Sequence, residues 1–211
     1  MTDNMIALPE WEHMTTTVKK KSKDRRAEII CAAQAILANE GAGALTLRAI
    51  ANEVGIKLAS LQYYFPTYAA LVEAMADKTV ETYSEGLRLA TKADASPEMK
   101  LEQALEWFAG PAAPTSDLSK LELQFWALAQ TNKDARVALR RYHDTYIEYF
   151  EKLIADARPN YTPALIRAKT ISIVSLFEGS VLFVDLVDDQ KTRESRARDI
   201  LQTARTILEF E

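Results

Sequence analysis

The segment from Leu45 to Leu71 constrains the fold of this 211-residue chain more than any other part of it. Thr46 is a suitable N-cap, and the apolar residues after it recur at helical spacing, which predicts a short helix with one buried face. Gly55 then supplies the left-handed backbone that a sharp turn between two helices needs. Leu61 lies on the apolar side of a second short helix, which can pack back onto the first. The segment therefore predicts a helix-turn-helix pair over about 45–64.

A helix pair of this size commonly holds its second helix in the major groove of DNA. Here Lys57, Ser60 and Gln62 lie off the apolar side of the second helix, so a partner can reach them. The Gln62 amide can pair bidentately with adenine. Arg48 and Thr46, on the preceding helix, are candidates for phosphate contacts that set the register on the duplex. The pair thus predicts a surface for double-stranded DNA.

An ordered series of short motifs runs through and around this pair, over about residues 25 to 75. The motifs are Ala38-Asn39-Glu40-Gly41, Thr46-Leu47, Ile50-Ala51, Val54-Gly55, Leu61-Gln62-Tyr63-Tyr64-Phe65 and Ala70-Leu71. In order and spacing they resemble the N-terminal domain of the TetR family of bacterial transcription regulators. Gln62 stands where the family usually has Tyr, which bears on base preference. Tyr68 stands where it usually has Lys, so a cation that normally faces phosphate is missing.

The resemblance implies a DNA-binding surface built from the pair and the residues that follow it. The expected DNA-contacting residues are Thr46, Arg48, Lys57, Ser60, Gln62, Tyr63, Tyr64 and Tyr68. Tyr63 and Tyr64 have a second interpretation, as a hydrophobic plug beneath the pair. Both interpretations can hold, because a phenol can bury its ring and expose its oxygen. For Phe65 we adopt the plug alone.

The whole chain has the composition and punctuation of an all-helical protein. It contains only six glycines and seven prolines, and strand-like alternation is hard to find. Ser96-Pro97 and Thr162-Pro163 each place a cap before a proline at the first helical position. We predict an all-α fold of nine helices, with an N-terminal three-helix DNA-binding domain followed by a six-helix C-terminal ligand-binding and dimerisation domain. The expected boundaries are 1–23 for a disordered, basic arm, 24–70 for the DNA-binding domain and 71–211 for the second domain.

The formal net charge of −4 is unevenly distributed along the chain. Residues 1–70 carry eight basic and seven acidic side chains, whereas residues 71–211 carry eighteen and twenty-three. Positive charge therefore concentrates near the helix-turn-helix pair. The basic run from Lys19 to Lys23, continued by Arg25 and Arg26, has two interpretations. It is either a solvated stretch or an arm that reaches phosphates or a minor groove.

Cysteine usage and hydropathy exclude several classes of protein. Because Cys31 is the single cysteine, the chain cannot form an internal disulfide or a thiolate metal site, and we expect no metal and no cofactor. The N-terminus carries acidic residues and lacks the basic start of a signal peptide. The most apolar stretch, 171–187, contains Glu178 and Asp185 and is shorter than a membrane span. We therefore expect a cytoplasmic bacterial protein with no membrane partner.

Two other classes compete with a DNA-binding regulator. An all-helical enzyme is disfavoured, because the chain has only two histidines and no glycine-rich phosphate loop, HExxH pair or serine elbow. Carboxylates such as Glu122 and Glu178 are scattered without a metal-site pattern, and no catalytic residue is expected. The other class is a helical protein-interaction module with degenerate DNA binding, which the departures at Gln62 and Tyr68 leave open.

The helices behind the pair are rich in aromatic residues, and most aromatics at helical spacing are ordinary core. The resemblance implies that these helices also enclose a pocket for a small, lipophilic or aromatic effector, for which apolar walls with a few polar groups are suitable. The candidate wall residues are Trp107, Trp126, Tyr142, Tyr146 and Phe177. The candidate polar residues are Gln124, His143 and Glu178.

The last two helices have the features of an interface between two copies of the chain. The segment 163–187 is apolar on nearly every side, and its small residues recur at spacings of three and four, which makes a flat strip for another helix. The resemblance implies a homodimer through a four-helix bundle, and a crowded monomer core is the alternative. The expected interface residues are Ser172, Ser175, Gly179, Ala197, Ile200, Ala204 and Ile207.

Such a dimer would bind the two half-sites of a palindromic operator. An effector that favours a different spacing of the two DNA-binding domains must lower DNA affinity, and DNA must lower effector affinity equally. The long helix that begins after Thr67 is the covalent link through which the two sites would communicate. Repression relieved by an effector is the family's usual arrangement, and it is the function we expect, although nothing in these residues excludes activation.

Overall fold

The computed structural model describes residues 23–110, 116–182 and 190–209, and every regular element in these ranges is an α-helix. The nine helices are α1 (Lys23–Glu40), α2 (Leu47–Glu53), α3 (Leu58–Tyr64), α4 (Tyr68–Ala90), α5 (Pro97–Ala109), α6 (Ser116–Thr131), α7 (Lys133–Ala157), α8 (Pro163–Val181) and α9 (Gln190–Glu209). This confirms the all-α prediction, with three front helices, α1–α3, and six rear helices, α4–α9. The predicted arm lies outside the described residues except for Lys23. None of the described helices is long and apolar enough to cross a membrane.

Side-chain caps fix the starts of the long rear helices. The Thr67 hydroxyl accepts a hydrogen bond from the Ala70 backbone N–H at 3.1 Å. Ser96 and Thr162 cap α5 and α8 in the same way, and each precedes a proline at the first helical position. A cap satisfies an N–H group that the helix itself leaves free, so these residues determine where each helix begins. The helix starts predicted at Ser96 and Thr162 are confirmed.

The front helices close around a fully buried core. The side chains at its centre, all 0% exposed, are Ile29, Leu37, Ile50 and Leu61. Phe65, directly after α3, is also 0% exposed, which confirms the plug predicted at this position. Helix α1 packs against α2 and also against α4 and α6. It therefore connects the front helices to the rear ones.

An aromatic cluster fills the centre of the rear helices. The Phe108 ring of α5 lies 4.7 Å from the Trp107 ring and 4.8 Å from the Tyr146 ring, measured between centroids. The rings of Phe150 and Phe177 lie 5.2 and 5.5 Å from it. Helix α7 runs through this region and packs against α4, α5, α6 and α8. Helix α7 is therefore the central helix of the rear group.

Candidate DNA-binding surface and effector pocket

The turn between α2 and α3 has the geometry that the sequence predicts. Gly55 has a φ of +70°, in the left-handed region that glycine adopts without strain. The Ile56 backbone N–H donates to the Ala51 carbonyl at 2.9 Å, which closes the end of α2. The Thr46 hydroxyl accepts from the Ala49 N–H at 3.1 Å, so Thr46 is the N-cap of α2. These local contacts orient α3 relative to the rest of the front helices.

The outer surface of α3 presents half of the side chains that the sequence assigns to DNA. Leu61 is fully buried in the hydrophobic core, whereas the exposed side chains are Lys57, Ser60, Gln62 and Tyr63. Tyr63 is 83% exposed, which is unusual for a large aromatic residue. Tyr64 is half-buried against the core, with its ring centroid 5.4 Å from that of Tyr63. The two tyrosines therefore differ, because Tyr64 contributes to the plug and Tyr63 faces outward.

The remaining predicted DNA contacts flank α3. Arg48 is exposed on α2, and Tyr68 is half-buried at the start of α4, where burial raises the pKa of its phenol. The Arg26 guanidinium of α1 lies over the Phe65 ring, 4.7 Å from its centroid. A cation–π contact of this kind holds a positive charge close to the end of α3. The pairing of Arg26 with Phe65 has no local sequence signal, because it joins two elements far apart in the chain.

Behind the front helices, α4, α6 and α7 enclose a pocket of about 310 Å³, a volume that includes its solvent-open part. Its lining residues are Ala76 and Thr79 of α4, Leu121, Glu122, Phe125 and Trp126 of α6, and Leu139 and Tyr142 of α7. Two of the predicted ligand residues, Trp126 and Tyr142, are among them. The pocket therefore lies between α4, α6 and α7, and only part of the predicted wall reaches it.

The other predicted wall residues belong to the aromatic cluster and do not line this pocket. Tyr146 and Phe177 pack on Phe108 in the rear core, and Trp107 packs against Gly86 of α4. The Gln124 side chain lies next to Gly41, at the end of α1, and does not line the pocket. Neighbouring positions on α6 face different helices, because successive side chains point in different directions around the helix axis. Periodicity alone does not predict which neighbouring helix each side chain contacts.

Glu122 is the buried charged group of the pocket. It is 7% exposed and accepts a hydrogen bond from the Tyr142 hydroxyl at 2.5 Å. Burial raises the pKa of Glu122, and hydrogen bonds from Tyr142 and Tyr83 partly oppose that rise. The sequence signal for its burial is its place among the apolar positions of α6, between Leu121 and Phe125.

A second carboxylate, Glu178 of α8, lies near the first. Burial and the negative charge of Glu122 raise the pKa of Glu178 to about 8, while a hydrogen bond from Trp126 lowers it. His143 Nδ1 lies 3.8 Å from Glu178 Oε1, but burial lowers the pKa of His143 to about 4. At neutral pH this imidazole is uncharged, so the contact is not an ion pair. Its Nε2 is buried and has no hydrogen-bond partner among the described residues.

The two carboxylates, scattered in the sequence, are thus brought together without a compensating charge. The groups that shape the pKa of Glu122 are two phenols, and those that shape the pKa of Glu178 are the Glu122 carboxylate and an indole. No lysine or arginine in the described part of the chain is among these groups. Buried carboxylates without a cation are costly unless they are protonated or meet a positively charged ligand. No group of three or more potential metal ligands occurs within the described ranges.

The residues predicted for a dimer interface divide by exposure. Ser172 and Ser175 are exposed on α8, next to Ile171, which is 40% exposed. Gly179, Ala197, Ile200 and Ile207 are half-buried. Ala204 is 0% exposed within the protomer, so its side chain cannot contact a second chain, and the assignment of Ala204 is corrected. Its methyl group packs inside the core because the inner side of α9 docks on α5 and α8.

Two family models cover most of the chain. Residues 29–75 match bacterial regulatory proteins of the tetR family, and residues 97–208 match the C-terminal domain of BetI-type transcriptional repressors. The second match alone spans more than half of the chain. The chain therefore belongs to the TetR family of bacterial transcription regulators, a class of regulatory proteins rather than enzymes.

Individual relatives agree with this assignment. An uncharacterized HTH-type transcriptional regulator in the dhlA 5′ region of Xanthobacter autotrophicus is 27% identical over 142 residues, which are 65% of this chain and 68% of that protein. A Pseudomonas aeruginosa PAO1 protein assigned as a transcriptional regulator superposes with a TM-score of 0.77 at 17% identity, over 90% of this chain and 91% of its own. A TetR transcription regulator from Haloarcula marismortui gives 0.70 at 22%, over 89% and 98%. A Saccharomonospora viridis protein assigned as a transcriptional regulator, in complex with choline, gives 0.68 at 16%, over 90% and 98%. At these identities the structures show a shared fold.

Proposed function

We propose that this protein is a homodimeric transcriptional repressor that binds a palindromic operator and is released from it by a small lipophilic cation. The observation that carries the DNA-binding part is the orientation of α3. This helix buries Leu61 and turns Gln62 and Tyr63 outward, with Lys57 at its start. Amide, phenol and ammonium groups on one exposed helix are suited to base edges and phosphates in a major groove. A protein that acts on chromosomal DNA belongs in the bacterial cytoplasm.

A second copy of the chain is the partner best suited to the exposed side of α8. Ile171, Ser172 and Ser175 are exposed there, and Leu182, one residue beyond the helix, is 57% exposed. Small side chains let two helix backbones approach closely, and exposed apolar ones favour burial in a contact. A two-fold dimer would place two copies of α3 on successive half-sites of DNA.

The effector class follows from the lining of the pocket. Glu122 lies there with the aromatic rings of Phe125, Trp126 and Tyr142, and its carboxylate has no cationic partner among the described residues. Aromatic faces and a carboxylate together attract organic cations. The choline complex of the structurally similar S. viridis protein supports this choice, although that similarity by itself concerns the fold.

DNA binding is tested by selecting duplexes from a random pool and measuring the affinity of the enriched sequences at several salt concentrations. We expect a palindrome and a steep fall in affinity with salt. Arg48→Ala should weaken binding to all sequences and lower the salt slope by about 1, whereas Gln62→Ala should relax the preference at one base position by about 1–3 kcal/mol. Failure to enrich any sequence, with protein that has been stripped of bound ligand, would refute the DNA-binding proposal.

The effector class is tested by isothermal titration calorimetry with choline, benzyltrimethylammonium and the uncharged choline analogue 3,3-dimethyl-1-butanol. We expect the cations to bind and to release the operator, and the alcohol to do neither. Glu122→Gln should weaken cation binding by about ten-fold or more, a change of about 1.4 kcal/mol. The matched control is Glu148→Gln, an exposed position of α7, which should leave cation binding unchanged. Equal binding of the alcohol would reject the cation while leaving the DNA-binding proposal intact.

A further inference from the structure

A buried glutamine of α1 joins the front helices to the wall of the pocket. Gln34 is 4% exposed, and its Nε2 donates to the Met75 carbonyl at 3.1 Å and to the Thr79 hydroxyl at 3.2 Å. The Thr79 hydroxyl in turn donates to the Met75 carbonyl at 3.1 Å. Because the Met75 carbonyl can only accept, the amide nitrogen must face it, which fixes the orientation of the Gln34 side chain.

The position is a costly one for a polar residue. Gln34 Oε1 is buried and has no hydrogen-bond partner among the described residues. Its neighbours on α1, Ile30 and Ala33, are part of the hydrophobic core. An apolar side chain there would avoid the unsatisfied carbonyl, so packing alone does not explain a glutamine.

Thr79 connects this hydrogen bond to the pocket, because it lines the pocket together with Ala76. The opposite wall, on α6, includes Phe125 and Trp126. The residue before them, Gln124, lies beside Gly41 at the end of α1. Helix α1 is therefore attached to one wall of the pocket through its middle and lies against the other wall at its C-terminal end.

We propose that the Gln34–Thr79 hydrogen bond transmits occupation of the pocket to the DNA-binding helices. A ligand that seats against Thr79, or that separates α4 from α6, cannot leave both attachments of α1 intact. Since α2 packs on α1, the displacement of α1 reorients the helix-turn-helix pair. This inference rests on the proposed function, because it concerns how the same pocket controls the same DNA-binding surface.

The experiment fills the pocket by mutation, so it does not depend on the identity of the effector. Ala76→Met extends a side chain into the pocket from α4, and Gln34→Leu removes the hydrogen bond while keeping an apolar side chain of similar size. Operator affinity is measured for the wild type, each single variant and the double variant. We expect Ala76→Met to weaken operator binding by about five-fold or more, within the usual range of coupling between two sites. Gln34→Leu alone should change it by less than about two-fold, and the double variant should match Gln34→Leu.

Controls separate this inference from the proposed function. Gln103 of α5 accepts a hydrogen bond from the Lys92 backbone N–H at 3.0 Å. Gln103→Leu removes this unrelated glutamine contact and should leave the effect of Ala76→Met on operator affinity unchanged. If circular dichroism shows that the Ala76→Met protein is destabilised, Leu139→Phe is used instead, because it fills the same pocket from α7. Gln34→Leu should then suppress the effect of Leu139→Phe on operator affinity in the same way. Additive effects of the two substitutions, or a folded, filled protein with wild-type operator affinity, would overturn the inference. A wild-type protein without operator binding would instead overturn the proposed function.

Discussion

Glu178 has a shifted pKa that its position in the sequence does not predict. It lies on α8, in an apolar stretch that the sequence assigns to a dimer contact and to the pocket. Burial and the nearby Glu122 raise its pKa to about 8, far above the ordinary value of 4.5. His143, beside it, is shifted in the opposite direction, to about 4. Each shift opposes the charged form of the group, which is the result of burial.

These shifts predict the pH dependence of folding stability. Between pH 4.5 and 8 folded Glu178 holds a proton that the unfolded chain has lost, so stability falls as pH rises. Neutral, buried His143 has the opposite effect, but only from pH 4 to 6.5. From about pH 6.5 to 8, therefore, Glu178 but not His143 makes the folding stability depend on pH. Glu178→Gln should flatten the decline of the thermal midpoint in this window, and the exposed Glu148→Gln should not. Identical profiles for wild type and Glu178→Gln would contradict this assignment.

At the scale of the element, α4 is the helix on which several contacts converge. Its N-terminus follows the plug of the front helices, and its middle contributes Ala76 and Thr79 to the pocket. Arg141 of α7 pairs with Glu73 at 2.8 Å and also with Asp77, on the outside of α4. These ion pairs are exposed, so each contributes little to stability. Toward the C-terminal end of α4, close packing rather than ion pairing holds the helix in place.

That close packing occurs at Gly86, where a Cβ atom would lie 2.4 Å from Cζ2 of Trp107. The Trp107 ring is itself held edge-on against Phe108. Gly86→Ala should therefore destabilise the protein by about 1–3 kcal/mol, the usual cost of overpacking, despite the higher helix propensity of alanine. Chemical denaturation measures the change. Gly43→Ala is the control, because nothing lies within 4 Å of its Cβ position, and it should be close to neutral. An unchanged Gly86→Ala protein would mean that Trp107 can move at little cost.

At the scale of the whole molecule, the proposed operator binding requires two copies of α3 at a fixed separation. The proposed contact uses the exposed side of α8, where no part of the chain that the structure describes covers Ser172 or Ser175. The Lys169 ammonium of α8 donates to the Ile207 carbonyl of α9 at 2.7 Å, so the two helices are fastened together near the end of α9. A second copy would therefore meet α8 and α9 as one surface.

A charge placed in the middle of this surface tests the dimer. Ser175 is exposed in the protomer, so Ser175→Arg should fold normally, yet two guanidinium groups would oppose each other across a two-fold axis. We expect a monomer in light scattering and a loss of operator affinity of about 100-fold or more, because two linked half-sites bind far more tightly than one. Ser84→Arg, on the exposed side of α4, is the matched control and should remain dimeric. A dimeric Ser175→Arg protein would place the contact elsewhere.

Local chemistry allowed the sequence by itself to determine the helices and the helix-turn-helix pair. The signals are local: they are the caps at Thr46 and Thr162, the turn glycine Gly55 and the apolar spacing around Leu61. Each acts within one or two helical turns, so it can be recognised in the sequence without knowledge of the tertiary packing. The outward position of Gln62 follows from the same periodicity.

Only the tertiary structure decided which aromatic residues are core and where charge is buried. Trp107, Trp126 and Phe177 have the same local pattern, yet only Trp126 lines the pocket, because the rotation of each helix against its neighbours is set by packing of the whole bundle. Glu122, Glu178 and Gln34 acquire their roles only when α1, α4, α6 and α8 meet. Burial and the proximity of distant residues are properties of that packing, and no segment of the sequence contains them alone.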